Sequence, residues 1–126
     1  KSAMVASVPG ETHTIGAKMA AELLRGNGWD VELALGMDHE ELIGRIMASN
    51  HLIIGYSAGG EHALANLARL VVATRVCQPY AHIMVSGRIV QEAADRIKLM
   101  SVDGMSHDFD SAQALMDEMW AQISLP

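Results

Sequence analysis

The sequence predicts an α/β fold in which helices wind over both faces of a five-stranded parallel sheet, with strand order 2-1-3-4-5. Three observations carry that prediction. Short apolar or alternating runs recur five times, and each leads into a stretch whose apolar residues repeat at helical spacing. The third run, HLIIGY at residues 51–56, is nearly continuous in apolar character, as a strand covered on both faces must be. No repeat, linker or low-complexity segment breaks the alternation over 126 residues, a length that suits one compact domain.

Residues 3–8 form the first strand, ended by the turn signal Pro9-Gly10. Residues 15–26 read as a helix, with Ile15, Met19, Leu23 and Leu24 as its apolar repeat, and Gly26-Asn27-Gly28 stops it. Residues 30–35 (DVELAL) alternate as a strand does. Asp38 caps the second helix, Glu41 completes a capping-box-like pair, and Leu42, Ile43, Ile46 and Met47 supply its buried side. After strand 51–56 comes a helix over 61–76, with Pro79 beyond its end. Strand 81–85 (AHIMV), helix 88–96, strand 98–102 (KLMSV) with the turn Asp103-Gly104, and helix 111–123 complete the chain. Parallel strands need right-handed crossovers, and five of them in so short a chain fit the flavodoxin-like order. Ligands of such sheets bind beyond the carboxyl ends of the strands, near the switch between strands 1 and 3. The segments expected there, residues 9–16, 57–62, 86–88 and 103–108, are rich in Gly, Ser and His.

Composition excludes several functions. Half of the residues are hydrophobic, so the chain can build a core, yet no apolar run approaches the roughly 20 residues of a membrane span. A net charge of −6 leaves no basic stripe for direct nucleic-acid binding. The lone Cys77 excludes an internal disulfide and a Cys-based zinc finger, and reads as a small buried hydrophobe. No signal or transit pattern precedes the first strand, and Lys1 opens the chain. Residues 1–126 are accordingly expected to be one domain excised from a longer, cytoplasmic regulatory protein. The methionines at core spacing, among them Met19, Met47, Met84, Met100, Met116 and Met119, read as gap-fillers, and Trp29 and Trp120 as packing anchors.

Three motifs come close to known chemistry. Gly10–Lys18 (GETHTIGAK) has five residues between its glycines and lacks the GK[ST] ending, so it is not a phosphate-binding P-loop. A response-regulator receiver needs a phosphorylatable Asp at the end of strand 3, where Tyr56-Ser57 stands instead. Gly55-Tyr56-Ser57-Ala58-Gly59 matches the G-x-S-x-G nucleophile elbow, and Asp103 and His107 keep the Ser…Asp…His order of a serine hydrolase. Against that reading, no oxyanion segment follows an earlier strand, and the acid and base fall four residues apart in one loop.

Glu11-x-His13-x-x-Gly16, straight after the first strand, is the strongest candidate site. An imidazole there can present one nitrogen to a metal, while a carboxylate two residues away suits the other nitrogen. Gly16 lets a bulky group approach the backbone. The competing reading makes His13 a polar turn residue and Glu11 a first-turn anion. His62 and His107 are weaker candidates on the same edge, whereas His39, His51 and His82 read as structural.

These residues resemble the vitamin B12-binding domain family, whose pattern is D-x-H-x-x-G, about forty residues, S-x-L, a further interval and G-G. Here Glu11-x-His13-x-x-Gly16 is followed by residues 17–56, then Ser57-Ala58-Gly59, then residues 60–85 and Ser86-Gly87. Val102-Asp103-Gly104 is similar to that family's turn after strand 5. The resemblance implies that His13 is the lower axial ligand of cobalt and Glu11 its orienting partner. It also implies that Ser57, Gly59, Gly60, Ser86, Gly87, Asp103 and Gly104 surround the cofactor and its dimethylbenzimidazole tail, which lies in a slot between strands 1 and 3. The chain departs from the pattern in Glu11 for Asp, Gly59 for Leu and Ser86 for Gly. GETHTIG and GYSAGGEH further resemble a subgroup found in photosynthesis-gene antirepressors of purple bacteria, some of which bind cobalamin while a SCHIC-type variant senses haem. The expected function is a cobalamin-binding, or else haem-binding, sensor without turnover of its own, signalling to a partner such as a DNA-binding repressor or to neighbouring domains. Two further readings compete with it: a corrinoid carrier domain of a methyltransferase or mutase, and the Ser57 hydrolase.

Overall fold

The computed structural model describes residues 1–125. In chain order the elements are β1 (Ser2–Ser7), α1 (Ile15–Gly26), β2 (Asp30–Ala34), α2 (His39–Ala48), β3 (Ile53–Ser57), α3 (Leu64–Cys77), β4 (His82–Ser86), α4 (Arg88–Lys98), β5 (Gly104–Ser106) and α5 (Phe109–Ile123). A 3-10 turn, Glu61–Ala63, leads into α3. All strand pairs are parallel, and the order is β2-β1-β3-β4-β5, as expected.

Burial on both faces explains the near-continuous apolar strands. Successive residues point to opposite sides, so Val5, Ile53 and Met84 meet Ala17, Ala21 and Leu24 of α1 and Met116 and Met119 of α5. Met4, Ile54, Tyr56 and Ile83 meet Leu42 and Ile46 of α2, Leu67 and Leu70 of α3, and Ile89 and Ile97 of α4. The buried Tyr56 hydroxyl lies 2.5 Å from Thr74 Oγ1. Thr74 spends its own proton on the Leu70 carbonyl at 2.6 Å, so Tyr56 is the donor. Asp38 caps α2 by accepting from the Glu41 N–H at 2.8 Å, and Asp108 caps α5 by accepting from Ser111 at the same distance.

The sheet-facing side of α1 differs from expectation. Its small residues Ala17 and Ala21 and Leu24 face the sheet, while Ile15 and Met19 are 72% and 60% exposed. Both rows repeat at helical spacing, so periodicity alone could not choose between them. Met47 is likewise exposed rather than packed, and Cys77 is only half-buried.

The fifth strand is also displaced. Residues expected as strand 98–102 complete α4, whose Ile89, Ala93 and Ile97 face the sheet, and the turn after it, where Leu99 is exposed. The strand is Gly104–Ser106. Asp103 therefore precedes β5, and Gly104 is its first residue, paired with Met84 in the middle of β4; neither stands at the carboxyl edge of the sheet. Asp103 Oδ2 accepts from the Ile83 N–H at 2.7 Å and from Arg75 at 2.8 Å. A Cβ on Gly104 would lie 2.7 Å from Met84 Sδ, so this glycine allows α5 to close on β4.

Candidate cofactor site

At the carboxyl edge, register sets four serines side by side, Ser7 with Ser57, Ser57 with Ser86, and Ser86 with Ser106. The outer pair is engaged: Ser7 Oγ accepts from the Gly36 N–H at 3.2 Å, and Ser106 Oγ donates to the Asp108 carbonyl at 2.6 Å. The hydroxyls of Ser57 and Ser86 have no partner among the described residues.

Below them opens a cavity of about 300 Å³ between α1, α5 and the sheet. That is at the lower end of the roughly 300–1,000 Å³ typical of small-molecule sites. Ser57, Ser86, Gly87, Gly16, His107 and Phe109 line its upper part; Val5, Gly55, Met84, Leu24 and Met116 line its lower part. The expected slot between strands 1 and 3 is thus a cleft over their face, walled by two helices. Periodicity hid the wall formed by Ala20, Leu23, Phe109 and Ala112.

His13 stands on the exposed loop between β1 and α1, three residues before Gly16 at the cavity mouth. No described residue hydrogen-bonds to its imidazole. Glu11 is not its orienting partner, contrary to expectation. The Glu11 carboxylate accepts the backbone N–H of His13 at 3.0 Å through Oε1 and that of Gly59 at 2.7 Å through Oε2. His62 Nε2 lies 3.6 Å from the same Oε2, with the Glu11 side chain 2% exposed and that of His62 69% exposed. Burial works against the charged carboxylate, but the Gly59 and His13 N–H groups, with the His62 and His13 imidazoles nearby, outweigh it and hold Glu11 below the usual carboxylate range. Glu11 is a clasp that ties the β1 loop to the β3 loop.

Gly59 lies against Glu11 rather than in the cavity; a Cβ there would sit 2.9 Å from Oε1. A leucine there would have to displace the Glu11 carboxylate from its place against Gly59. Gly60 packs beneath Glu92 and His62, outside the cavity. Gly87, with φ +102°, abuts the Ala58 carbonyl so closely that a Cβ would run into it. The site thus unites Glu11, His13, Gly16, Ser57, Ser86 and Gly87, and leaves out Asp103, which precedes β5, and Gly104, which pairs with Met84 in mid-sheet.

The same geometry removes the hydrolase. Asp103 sits beside Ile83, three positions and roughly 10 Å along β4 from Ser86, the partner of Ser57. Among the described residues only Ser101, of the non-glycine residues, has a positive φ, so Ser57 has no left-handed strain.

A doubly wound sheet with an apolar cleft at its switch point and a free imidazole on the rim defines a cofactor-holding α/β module. The family model described as B12 binding domain matches residues 1–115, and the chain belongs to that family. Among solved structures it resembles a cobalamin-binding protein of Desulfitobacterium hafniense (TM-score 0.81, 17% identity), covering 93% of this chain and 57% of that one. It also resembles the monomethylamine corrinoid protein of Methanosarcina barkeri (TM-score 0.79, 15% identity), covering 94% of this chain and again 57% of the other. The response regulator TrrA of Thermotoga maritima shares the fold at TM-score 0.70 and 14% identity, covering 94% of this chain and 97% of that one. No curated protein matches the chain. No described helix is long and apolar enough to cross a membrane.

Proposed function

We propose that this domain binds cobalamin with His13 as the lower axial ligand and with the nucleotide tail in the α1/α5 cavity. One observation carries the reading: an exposed imidazole free of protein partners and a deep apolar cavity share one sheet edge. A bound corrinoid supplies a cobalt centre whose axial ligation responds to light, redox state or supply. Glu11 fixes the loop that bears His13, Gly16 leaves the approach open, and Ala17, Ala20 and Met116 keep water from the tail. Haem fits the same imidazole but has no tail, and would leave the cavity unused.

We read the domain as a sensor within a transcriptional regulator, without turnover of its own, whose occupancy shifts contacts with a partner protein or a neighbouring domain. The acidic surface suits a basic, DNA-binding repressor as that partner. A corrinoid carrier would use the same site, and likeness to the Methanosarcina corrinoid protein favours it as the second reading.

Titration with hydroxocobalamin and separately with hemin, followed by absorption spectra, tests the ligation. The expected result is a histidine-ligated cobalamin spectrum that His13→Ala abolishes without unfolding the chain. Free-cofactor spectra with both ligands would overturn the proposal, and turnover upon adding a methyltransferase partner would favour the carrier.

A further inference from the structure

The cavity is zoned along the strand axis. Its polar lining residues, Ser57, Ser86, His107 and Asp108, all belong to the mouth. Two residues down each strand, roughly 7 Å deeper, the floor is Val5, Gly55 and Met84. The helices follow the same gradient, because both start at the mouth: α1 passes from Gly16 to Leu23 and Leu24, and α5 from Phe109 to Met116. The floor offers no side-chain donor or acceptor, while the mouth offers two adjacent hydroxyls without protein partners.

We infer that this zoning makes the domain selective for the lower base of the corrinoid. The favoured base is a flat ring with an apolar far edge, such as dimethylbenzimidazole, over adenine, whose far edge carries an amino group and a ring acceptor. The inference rests on the corrinoid reading above. Adenine driven to the floor buries polar atoms with nothing to pair with, so it binds about ten- to a hundredfold more weakly. Ser86, which stands where the family pattern has Gly, acts at the mouth together with Ser57. Their hydroxyls meet the polar nucleotide linkage that every tailed corrinoid shares, so they add affinity without choosing the base.

Dissociation constants for dimethylbenzimidazolyl- and adenyl-cobamide, measured by absorption titration of the whole chain, test this. The expected ratio is tenfold or more in favour of dimethylbenzimidazole. Ser86→Ala and Ser57→Ala are expected to weaken both ligands alike by several-fold, leaving the ratio unchanged. Met116→Gln, close in volume and confirmed as folded by circular dichroism, places a polar group in the floor and should lower the ratio. Should Met116→Gln fail to fold, Met84→Gln probes the same layer. Equal affinities in the unmodified chain would sink the inference while leaving the corrinoid reading intact. Failure of the dimethylbenzimidazole form itself to bind would sink both.

Discussion

Replacing Gly59 by Leu and Glu11 by Asp, singly and together, tests whether the two departures from the family pattern are coupled. Gly59 has no left-handed φ, so the cost of a side chain there is steric. A Cβ would stand 2.9 and 3.3 Å from the Glu11 carboxylate oxygens and 3.4 Å from its Cδ. The carboxylate must then leave the N–H groups of Gly59 and His13, which it holds at 2.7 and 3.0 Å. Hydrogen bonds to charged groups contribute about 1.5–3 kcal/mol each, and water at this rim restores part, so Gly59→Leu should cost about 2–4 kcal/mol. Glu11→Asp, one methylene short of Gly59, should lose about one such bond. In the double variant the carboxylate is already withdrawn from the leucine, so its cost should fall short of the sum by about 1–3 kcal/mol. Urea unfolding supplies the free energies, and hydrogen exchange at the Gly59 and His13 amides locates the loss. Additivity within about 0.5 kcal/mol, or unchanged exchange at both amides in Gly59→Leu, would refute the clasp.

Gly87→Ala places a Cβ against the Ala58 carbonyl at a backbone conformation open essentially to glycine alone, and disturbs the bonds Ala58 N–Ser86 O (3.1 Å) and Ile89 N–Ala58 O (3.3 Å). It should cost about 3 kcal/mol or more; a thermal midpoint within about 2 °C of the parent would show that these loops yield instead. Glu32 governs an acid-side dependence. Its hydrogen bond to Arg45 (2.9 Å) and, against burial, that to His51 (3.0 Å) hold its carboxyl below its ordinary value of 4.5. The folded state therefore favours the ionised form: the stabilisation is complete above the unfolded value and fades as pH falls through the folded one. Urea midpoints taken from about pH 6 to about pH 3 should show Glu32→Gln converging on the parent chain in acid. A constant gap throughout would mean the pair contributes nothing through charge.

What the sequence could reveal was decided by how local each cause is. Strand order followed from alternation and length, and the cap of α2 from Asp38 and Glu41, because caps and periods are written in neighbouring residues. Pattern alone misplaces the fifth strand because KLMSV alternates by accident, whereas the actual strand is only three residues, GMS, held by pairing to β4. Asp103 and Gly104 are displaced from the carboxyl edge with it. The buried face of α1 is hidden because alanine marks a close approach of helix to sheet as weakly as it marks exposure. Glu11 and Gly59 are 48 positions apart. Their contact has no trace in local pattern, so a carboxylate two residues from His13 falls naturally to the nearer group.

The true partners of Glu11 bear on what kind of corrinoid module this is. A metal-bound imidazole whose second nitrogen donates to a carboxylate is more basic and better held, and loss of such a partner typically costs about ten- to a hundredfold in metal affinity. Here the nearest carboxylate is consumed by two backbone N–H groups, so on the proposed ligation the far nitrogen of His13 is left to solvent. On that reading the tail cavity would carry more of the binding and His13 less. A carrier that must present cobalt repeatedly to an enzyme gains from a firm lower ligand. A sensor gains from a bond near balance, because a small change at the metal then tips a large fraction of molecules from one contact surface to another.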